Sequence, residues 1–352
     1  MKLNAPNTDK KIIIAGPCSA ESEQQVLQTA HALASMKLDY FRAGVWKPRT
    51  KPGCFEGIGE LALNWLVKAR QETGLPIATE IANATHAEAA LRYQLDAIWI
   101  GARTTTNPFA VQEIAEALKG SSIKVFVKNP VNPDIELWIG AIERLQKVGI
   151  KHIGAIHRGF SSYGQNIYRN APQWHIPLEL QRRYPHLPII CDPSHIGGKA
   201  SLIETLAQEA LDMQFDGLMI ETHPYPSNAW SDAKQQITPS EFKQVVEHLI
   251  IRKKSSENTA IDSLRQEIDT QDQLIIEALA KRFAITNHIG ALKKESNLPV
   301  FQPNRYTELL EKEIKLAHSM GVDSIFMKKI IETIHEESVR IQSQIMNNHD
   351  TK

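Results

Sequence analysis

The strongest constraint on this chain is an alternation of short apolar runs and amphipathic stretches over residues 1–250. The apolar runs are continuous, as in strands that are buried on both faces of a parallel sheet. Eight such runs predict strands, at 12–16, 40–45, 77–81, 97–101, 125–128, 152–157, 189–191 and 218–221. Eight strand–helix units in about 250 residues predict an α/β fold of the (β/α)8 TIM barrel class.

The stretches between the runs have helical periodicity, and several end in glycine, as helices commonly do. Four of them lie at 22–36, 58–74, 107–120 and 133–149. A doubly wound open sheet is the alternative fold. It accounts less well for eight units, and no GxGxxG motif follows the first run.

Composition narrows the class of protein. Lys plus Arg and Asp plus Glu are equal at 40 each, so there is no electrostatic case for nucleic acid or an anionic membrane as partner. No apolar run approaches the ~20 residues of a membrane span. The three cysteines are too few for a disulfide framework. We therefore expect a cytoplasmic protein that acts on small molecules.

The alternation of apolar runs and amphipathic stretches stops after residue 251. Residues 252–260 are polar and without periodicity, which predicts a linker between a barrel at 1–251 and a second domain at 261–352. In the second part, apolar periodicity predicts helices at 261–294, 303–317 and 323–346. Three helices in about 90 residues predict a small all-α domain.

Reactive side chains follow the predicted strands. In a (β/α)8 barrel the chemistry lies at the carboxyl ends of the strands, and closure makes the last strands neighbours of the first. Cys18, His195 and Glu221 should therefore converge, and Asp232 lies in the loop beyond. Such ligands suit Mn²⁺, Fe²⁺, Co²⁺ or Zn²⁺. By itself, Cys18 could equally be a nucleophile or a packed core residue.

Basic side chains end the middle strands. Arg103, Lys128 and Arg158 follow strands 4, 5 and 6 and predict a pocket for a phosphorylated or carboxylated substrate. Arg42, Lys47 and Arg49 offer a second anion site near strand 2. Each cation alone could simply be solvated or ion-paired, but their clustering at one face of the barrel favours binding.

Two further cysteines and two further histidines are not part of these predicted clusters. Cys54 and Cys191 have no such cluster of reactive residues to support a role in the site, and they are predicted to be structural. His157 and His223 remain candidates of second rank.

Seven segments together resemble 3-deoxy-D-arabino-heptulosonate-7-phosphate (DAHP) synthase of the class I beta type. They are, in order over about residues 11–245, AGPCSAES, RAGVWKPRT, GARTTT, VFVKNP, HRGF, DPSHIGGK and IETHPYPSNAWSDAKQQ. The resemblance implies condensation of phosphoenolpyruvate with erythrose 4-phosphate and release of phosphate.

The same resemblance implies residue roles. Cys18, His195, Glu221 and Asp232 would bind the metal ion. Arg103, Lys128 and Arg158 would contact phosphoenolpyruvate, with Arg42 in the same region. Lys47, Arg49 and Thr50 would contact erythrose 4-phosphate. Lys128, Arg158 and His195 are the expected catalytic residues of the barrel.

The related 3-deoxy-D-manno-octulosonate-8-phosphate synthase shares the barrel and phosphoenolpyruvate, but its aldehyde loop reads like KANR. The motif KPRT at 47–50 argues against that alternative. The residues after it, KPGCFEG, differ from the usual SPYSFQG, so the aldehyde-side loop departs from the family beyond the expected anion contacts.

The C-terminal segments LRQEID, ALAKRFAITNHIGALKK, NRYTELL and IHEESVRIQ resemble an AroQ-type chorismate mutase. The implied substrate-binding residues are Arg265, Arg282, Lys293, Arg305, Ser338 and Gln342. Lys293 and Gln342 would contact the ether oxygen and so act in catalysis. Gln302 and Tyr306 depart from the Asp and Glu that the family usually has near the substrate hydroxyl.

Helix geometry predicts a shared mutase site. Arg282 and Lys293 are 11 residues apart, about 16 Å along one helix and about 20° around it. Arg265 is 17 residues from Arg282, about 25 Å away. It reaches the same ligand only from an antiparallel helix of a second chain, which predicts a homodimer.

Three functions are consistent with these motifs, and the third of them is a different metal-dependent aldolase of phosphorylated sugars. The first is a bifunctional synthase and mutase in which prephenate or chorismate, bound by the helices, inhibits the barrel. The second is a synthase whose helical domain binds ligand and dimerises without catalysis.

Overall fold

The computed structural model describes residues 10–47, 53, 55–164, 167–252 and 259–347. Each strand of the barrel pairs in parallel with the next, and the first pairs with the last. The strands are β1 Ile12–Gly16, β2 Tyr40–Arg42, β3 Ile77–Ile81, β4 Ala97–Ile100, β5 Lys124–Lys128, β6 Ile153–His157, β7 Ile189–Cys191 and β8 Gly217–Glu221. Closure confirms the predicted (β/α)8 barrel and excludes the open sheet.

Helices alternate with the strands, as predicted. They are α1 Glu23–Leu33, α2 Leu61–Thr73, α3 Ala84–Arg92, α4 Ala102–Thr105, α5 Pro108–Ala117, α6 Ile135–Lys147, α7 His175–Arg183, α8 Pro193–Gly197, α9 Ile203–Asp212 and α10 Pro239–His248. Their starts follow capping chemistry. Ser22 and Asp134 accept hydrogen bonds from first-turn amides, and Thr238 forms a reciprocal capping box with Glu241.

One predicted strand is too long. The run at 40–45 predicted six strand residues, but β2 ends at Arg42. Beyond it the chain leaves the ladder, and Gly44 pairs only through an isolated bridge to Ser19. The apolar run continues past the strand because Ala43 and Val45 are buried in the loop.

The barrel interior is filled by side chains. Trp99, Phe126 and Met219 are fully buried there with smaller apolar residues from the other strands. A larger apolar core lies between the strands and the helices. Because the interior is closed by packing, the carboxyl ends of the strands form the mouth at which ligands can bind.

The chain divides into two compact units, Met1–Lys254 and Ser255–Lys352. The second contains α11 Thr259–Glu295, α12 Pro303–Ser319 and α13 Ser324–Asn347, in agreement with the three predicted helices. Both α11 and α12 pack against α13. None of the described helices combines the length and hydropathy needed to cross a membrane.

Candidate active site

Three predicted metal ligands meet at the junction of β1 and β8. The ladder pairs Gly16 with Glu221, and Cys18 follows two residues beyond β1. Asp232 reaches the same point from the loop after β8. The Cys18 Sγ and one carboxylate oxygen each of Glu221 and Asp232 all lie within 4.8 Å of one another. Barrel closure therefore produces the convergence that the strand ends predicted.

The turn that delivers Cys18 requires glycine. Gly16 has φ +144°, and a Cβ atom there would lie 2.0 Å from the carbonyl oxygen of Arg42. Any larger residue would push β1 away from the loop after β2. The glycine of the AGPC motif is therefore a condition for the position of the thiol.

His195 lies beside this cluster and is held by Asp192. Asp192 precedes α8 and caps it through the amide of His195. Its Oδ2 lies 2.8 Å from Nδ1 of His195, while Nε2 of the same ring is 3.8 Å from Oε1 of Glu221. Histidines that bind metals are commonly oriented in this way, with a carboxylate on the other ring nitrogen. His195 lies outside the group of three but turns Nε2 toward it.

Burial and charge set the protonation of the cluster. Burial, reinforced by Glu221, raises the pKa of the Cys18 thiol to about 12. The thiol lies 3.3 Å from Oδ2 of Asp232 and accepts a hydrogen bond of 2.8 Å from Nζ of Lys47. Burial alone would raise the pKa of Asp232, but His195, Lys47 and Arg169 lower it. Sulfur, nitrogen and carboxylate donors together fit a divalent transition metal.

The predicted cations line a cavity at the same mouth. Its described lining is Lys47, Glu80, Ala102, Arg103, Lys128, Arg158, Arg169, His195 and Asp232. Lys128 is anchored by Asp192 at 2.8 Å, and Arg158 donates to Oδ1 of Asn170 at 2.6 Å. Burial lowers the pKa of Arg158 to about 10, so the guanidinium stays charged at neutral pH. Two of the candidate metal ligands, His195 and Asp232, thus line the same cavity as the anion-binding residues.

Arg42 occupies a different position from the other cations. Its side chain is 1% exposed, its Nη2 lies 3.2 Å from Oε1 of Glu221, and its guanidinium stacks 4.7 Å from the ring of Trp99. It is not among the described residues that line the cavity. Its substrate contact stays a prediction. Arg49, Thr50 and Cys54 lie outside the described residues.

The second-rank candidates have structural surroundings. His157 is fully buried among Trp138, Phe160, Trp174 and Phe215, and burial lowers its pKa to about 3. It is a neutral core residue.

The contacts of His223 and the burial of Cys191 also define their surroundings. Nε2 of His223 lies 3.4 Å from Glu21, and its Nδ1 accepts from the amide of Tyr225. Cys191 is buried in β7 and belongs to the apolar core, as predicted.

The sequence analysis missed Arg169, Gln235 and Gln236. Arg169 lines the cavity and donates to Asp232 at 3.0 Å. Gln235 donates to Oε2 of Glu221 at 2.7 Å, and Gln236 accepts from the amide of Cys18 at 3.0 Å. None of them follows directly on a strand. The only available signal for the glutamines was their place in the SDAKQQ motif.

The helical unit brings together three of its six predicted residues, Arg282, Ser338 and Gln342. Ser338 and Gln342 are buried on one face of α13, and Arg282 donates to Oγ of Ser338 at 2.5 Å. Gly290 of α11 packs against Gln342, so the two helices are in close contact there. Lys293 lies three residues beyond Gly290 on α11 and donates to the carbonyl oxygen of Val300 at 2.6 Å.

The remaining two arginines are exposed within one chain. Arg265 pairs with Asp262 and Arg305 with Glu308, each on its own helix. At the two positions that depart from the family, Gln302 precedes α12, and the ring of Tyr306 lies 4.5 Å from that of His335, tilted by 34°. An aromatic contact therefore occupies the place of the usual acidic residue.

Comparison with known proteins assigns a family to each of the two parts of the chain. A model of the DAHP synthetase I family matches residues 4–257, and one of chorismate mutase type II matches residues 264–343. Phospho-2-dehydro-3-deoxyheptonate aldolase of Thermotoga maritima is 32% identical over 67% of this chain and 68% of its own. A 2-dehydro-3-deoxyphosphooctonate aldolase of Caulobacter vibrioides is 28% identical over 69% of this chain and 88% of its own.

Solved structures agree with the fold of the barrel. The crystal structure of the Thermotoga maritima aldolase, a DAHP synthase, has a TM-score of 0.61 at 32% identity, covering 67% of each chain. A truncated 3-deoxy-D-arabino-heptulosonate 7-phosphate synthase from the same organism has a TM-score of 0.59 at 29% identity. The match covers 67% of this chain and 84% of the truncated synthase.

Fold and site together define a (β/α)8-barrel enzyme with a cationic mouth, followed by a helical domain. The chain belongs to the DAHP synthetase I family, and its C-terminal segment is a chorismate mutase type II domain. It is a bifunctional enzyme of the shikimate pathway with the activities of these two families, which confirms the family prediction.

Proposed function

We propose that the barrel condenses phosphoenolpyruvate with erythrose 4-phosphate in a metal-dependent reaction that forms DAHP and releases phosphate. The observation that carries this proposal is the single cavity in which Asp232 and His195 adjoin Arg103, Lys128 and Arg158, with Cys18 buried behind it at 3.3 Å from Asp232. Metal ligands beside a cluster of cations suit a reaction between two phosphorylated substrates.

A divalent ion of manganese, iron, cobalt or zinc, held by Cys18, His195, Glu221 and Asp232, would polarise an aldehyde oxygen as a Lewis acid. Donor atoms of Cys18, Glu221 and Asp232 within 4.8 Å of one another support this assignment, as does Nε2 of His195 at 3.8 Å from Oε1 of Glu221. Arg42 lies 3.2 Å from Glu221 and, with His195 and Lys47, lowers the pKa of that buried carboxyl against the effect of burial. The carboxylate is therefore available as a ligand at neutral pH.

The cations position the reactants. Arg103, Lys128 and Arg158 bind the carboxylate and phosphate of phosphoenolpyruvate, while Lys47, Arg49 and Thr50 bind erythrose 4-phosphate. Holding both anions turns a bimolecular encounter into a positioned one. C3 of phosphoenolpyruvate then attacks the aldehyde carbon, water adds at C2, and the bond from C2 to the phosphate oxygen breaks. Positive charge at Lys128 and Arg158 stabilises the departing phosphate.

The helical domain rearranges chorismate to prephenate. The reaction is pericyclic and needs neither acid, base nor metal, only positive and hydrogen-bonding groups around the polarised transition state. Arg282, Ser338 and Gln342 lie together between α11 and α13. Lys293 and Gln342 contact the ether oxygen, and Arg305 supplies a further cation for the carboxylates.

A homodimer completes this site with Arg265 of the partner chain. Residues 259–278, the first half of α11, are exposed along their whole length in the single chain. Ile261, Leu264, Ile268 and Ile275 fall within about 60° of the helix circumference and are 44%, 59%, 59% and 58% exposed. An apolar stripe of this kind needs a partner in water, and an antiparallel second copy also brings Arg265 to the site.

The fusion of the two enzymes suggests feedback in the cytoplasm, where we place the protein. Prephenate or chorismate, bound by the helices, would inhibit the synthase through a rearrangement of the domains. Because chorismate and prephenate form downstream of DAHP, their concentration would follow the rate at which the barrel makes DAHP.

The synthase is tested with enzyme that EDTA has stripped of metal. We expect no phosphate release from phosphoenolpyruvate and erythrose 4-phosphate until Mn²⁺, Fe²⁺, Co²⁺ or Zn²⁺ is added back. A five-carbon aldose phosphate serves as the competing aldehyde, because its five carbons and the three of phosphoenolpyruvate give an octulosonate, whereas the four carbons of erythrose 4-phosphate give a heptulosonate. Preference for it would support an octulosonate synthase instead.

A second function for the helices is ligand sensing without catalysis, which the replacement of two acidic residues by Gln302 and Tyr306 favours. The residues from about 258 to 352 form their own compact unit. Consumption of chorismate by the full chain, followed at fixed protein concentration, supports the mutase. Binding of chorismate without turnover would support the sensing domain.

A further inference from the structure

Two adjacent glutamines connect the candidate metal ligands to one another. Gln235 and Gln236 follow Asp232 closely and are only 1% and 2% exposed. Each uses both ends of its amide in a hydrogen bond. Buried amides of this kind are expensive unless every polar atom has a partner, so their presence at the mouth of the barrel calls for a reason.

Gln236 holds Cys18. Its Oε1 accepts from the backbone amide of Cys18 at 3.0 Å, and its Nε2 donates to the carbonyl oxygen of Ser231 at 2.9 Å. One side chain thereby joins the loop after β1 to the loop that carries Asp232. These two loops are more than 200 residues apart in the chain, and this amide fixes the thiol relative to the carboxylate.

Gln235 holds Glu221. Its Nε2 donates to Oε2 of Glu221 at 2.7 Å, and its Oε1 accepts from Nη1 of Arg169 at 2.5 Å. The same Nη1 lies 3.0 Å from Oδ1 of Asp232. The amide orientation is determined, because a carboxylate can only accept and a guanidinium can only donate. Oε2 of Glu221 is thus occupied by Gln235, while Oε1 lies 3.2 Å from Nη2 of Arg42 and 3.8 Å from Nε2 of His195.

Asp232 needs this support more than the other ligands do. Cys18 and Glu221 adjoin the paired strands β1 and β8, which fix their backbones. Asp232 lies in an irregular loop with a left-handed backbone, φ +50°, an uncommon conformation for a residue other than glycine. Without a connection to the strands, its carboxylate would have no defined distance from the other two donors.

We infer that Gln235 and Gln236 are positioning residues that hold Cys18, Glu221 and Asp232 in metal-binding geometry, with Arg169 as the link to Asp232. The inference rests on the metal site of the proposed function. Outer partners of this kind commonly contribute about 10–100-fold to metal affinity. Neither glutamine touches the reacting atoms, so their effect is on the ligands alone.

The test is titration of the full-length, metal-free protein with Co²⁺, followed by absorption. Co²⁺ bound by a thiolate gives a charge-transfer band that reports Cys18 directly. We expect Gln235→Met and Gln236→Met to bind Co²⁺ about 10–100-fold more weakly than the natural chain. At saturation, Gln236→Met should also have a weaker thiolate band, because the Cys18 backbone has lost its anchor.

Gln208→Met is the matched control, since Gln208 makes comparable hydrogen bonds to Asp212 and Ile250 far from the mouth. It should bind Co²⁺ as the natural chain does. Thermal unfolding of the metal-free variants checks folding. Gln235→Glu is a second variant, whose side chain has nearly the size of glutamine. It keeps the acceptor for Arg169 but loses the donor to Glu221. This variant should also bind Co²⁺ at least about tenfold more weakly.

The outcomes separate the inference from its basis. Natural affinity and an unchanged thiolate band in both glutamine variants would overturn the positioning role. A natural chain that gives no thiolate band, or a Cys18→Ala variant that keeps it, would instead overturn the metal site itself.

Discussion

Cys18 is held between opposite charges, and this decides its chemistry. Nζ of Lys47 lies 2.8 Å from its sulfur and Oδ2 of Asp232 lies 3.3 Å from it. Burial would lower the pKa of Lys47, but Cys18, Glu221 and Asp232 raise it, so the amine stays protonated and is no base for the thiol. A nucleophilic role lacks its activating partner, and the carboxylates favour a metal ligand.

Replacement of Cys18 tests that role. We expect Cys18→Ala to abolish metal-dependent phosphate release and to leave chorismate turnover largely unchanged, because the thiol belongs to the barrel alone. Both activities are measured on the same preparation with metal in excess. Cys191→Ala is the control, as that thiol is equally buried but packs in the core. Full synthase activity in the Cys18 variant would contradict the assignment.

His157 makes the barrel sensitive to acid. Its pKa is about 3 in the folded protein because burial disfavours the imidazolium, against about 6.5 in an unfolded chain. Below pH 6.5 the unfolded chain takes up a proton that the folded chain does not. Stability therefore falls by about 1.4 kcal/mol per pH unit between pH 6.5 and 3 from this group.

The variant His157→Phe should lose that component. In urea unfolding of the barrel, the loss of stability between pH 7 and pH 4.5 should be about 2–3 kcal/mol smaller than in the natural chain. Replacement of the exposed His186 by Phe controls for general effects of the substitution. An equal loss in the His157 variant and the natural chain would show that the ring is protonated in the fold.

At the scale of elements, the junction of β1 and β8 and the helix α11 matter most. The junction places Gly16 opposite Glu221 and so brings residues from both ends of the barrel to one point. Helix α11 has 37 residues, about 55 Å at 1.5 Å per residue. Only its second half contributes buried residues, Thr286 and Gly290. The first half is a helix without a core in the single chain.

Charges on the apolar stripe of α11 should separate a dimer. We expect the double variant Ile268→Asp, Ile275→Asp to be monomeric by light scattering and to lose chorismate turnover, because Arg265 of the partner no longer reaches the site. Synthase activity reports whether the barrel is intact. Gln266→Asp, on the opposite side of α11, should stay dimeric. A dimer that survives the double substitution would contradict this interface.

At the scale of the whole molecule, two enzymes share one chain, and regulation requires coupling between them. A ligand can inhibit the barrel only if it binds two states of the protein with different affinity. The coupling is reciprocal for binding, so the substrates of the barrel must weaken prephenate binding by the same factor by which prephenate weakens theirs.

Prephenate therefore provides a test at this scale. We expect saturating prephenate to lower the synthase rate at least fivefold, in the usual range of such couplings. The variant Arg282→Ala should escape inhibition while its synthase rate without prephenate stays natural, since Arg282 belongs to the helical site. Synthase rates that do not respond to saturating prephenate would refute the feedback proposal.

The sequence alone determined the elements of the fold and most of the candidate site. Continuous β-branched runs that are buried on both faces have few alternatives to a parallel sheet, so the eight strands were predicted with errors mainly at their ends. Side chains that directly follow such runs must lie at the mouth of the barrel. Arg103, Lys128, Arg158 and Glu221 were found by that rule.

Only the tertiary structure decided what lies next to what. Arg42 follows the same strand-end rule, yet it points to Trp99 and Glu221 beneath the cavity. Arg169, Gln235 and Gln236 have no periodic signal, because their positions depend on the paths of two long loops. Hydrogen bonds between residues more than 60 apart in sequence leave no local pattern, and they exist only once the barrel has closed.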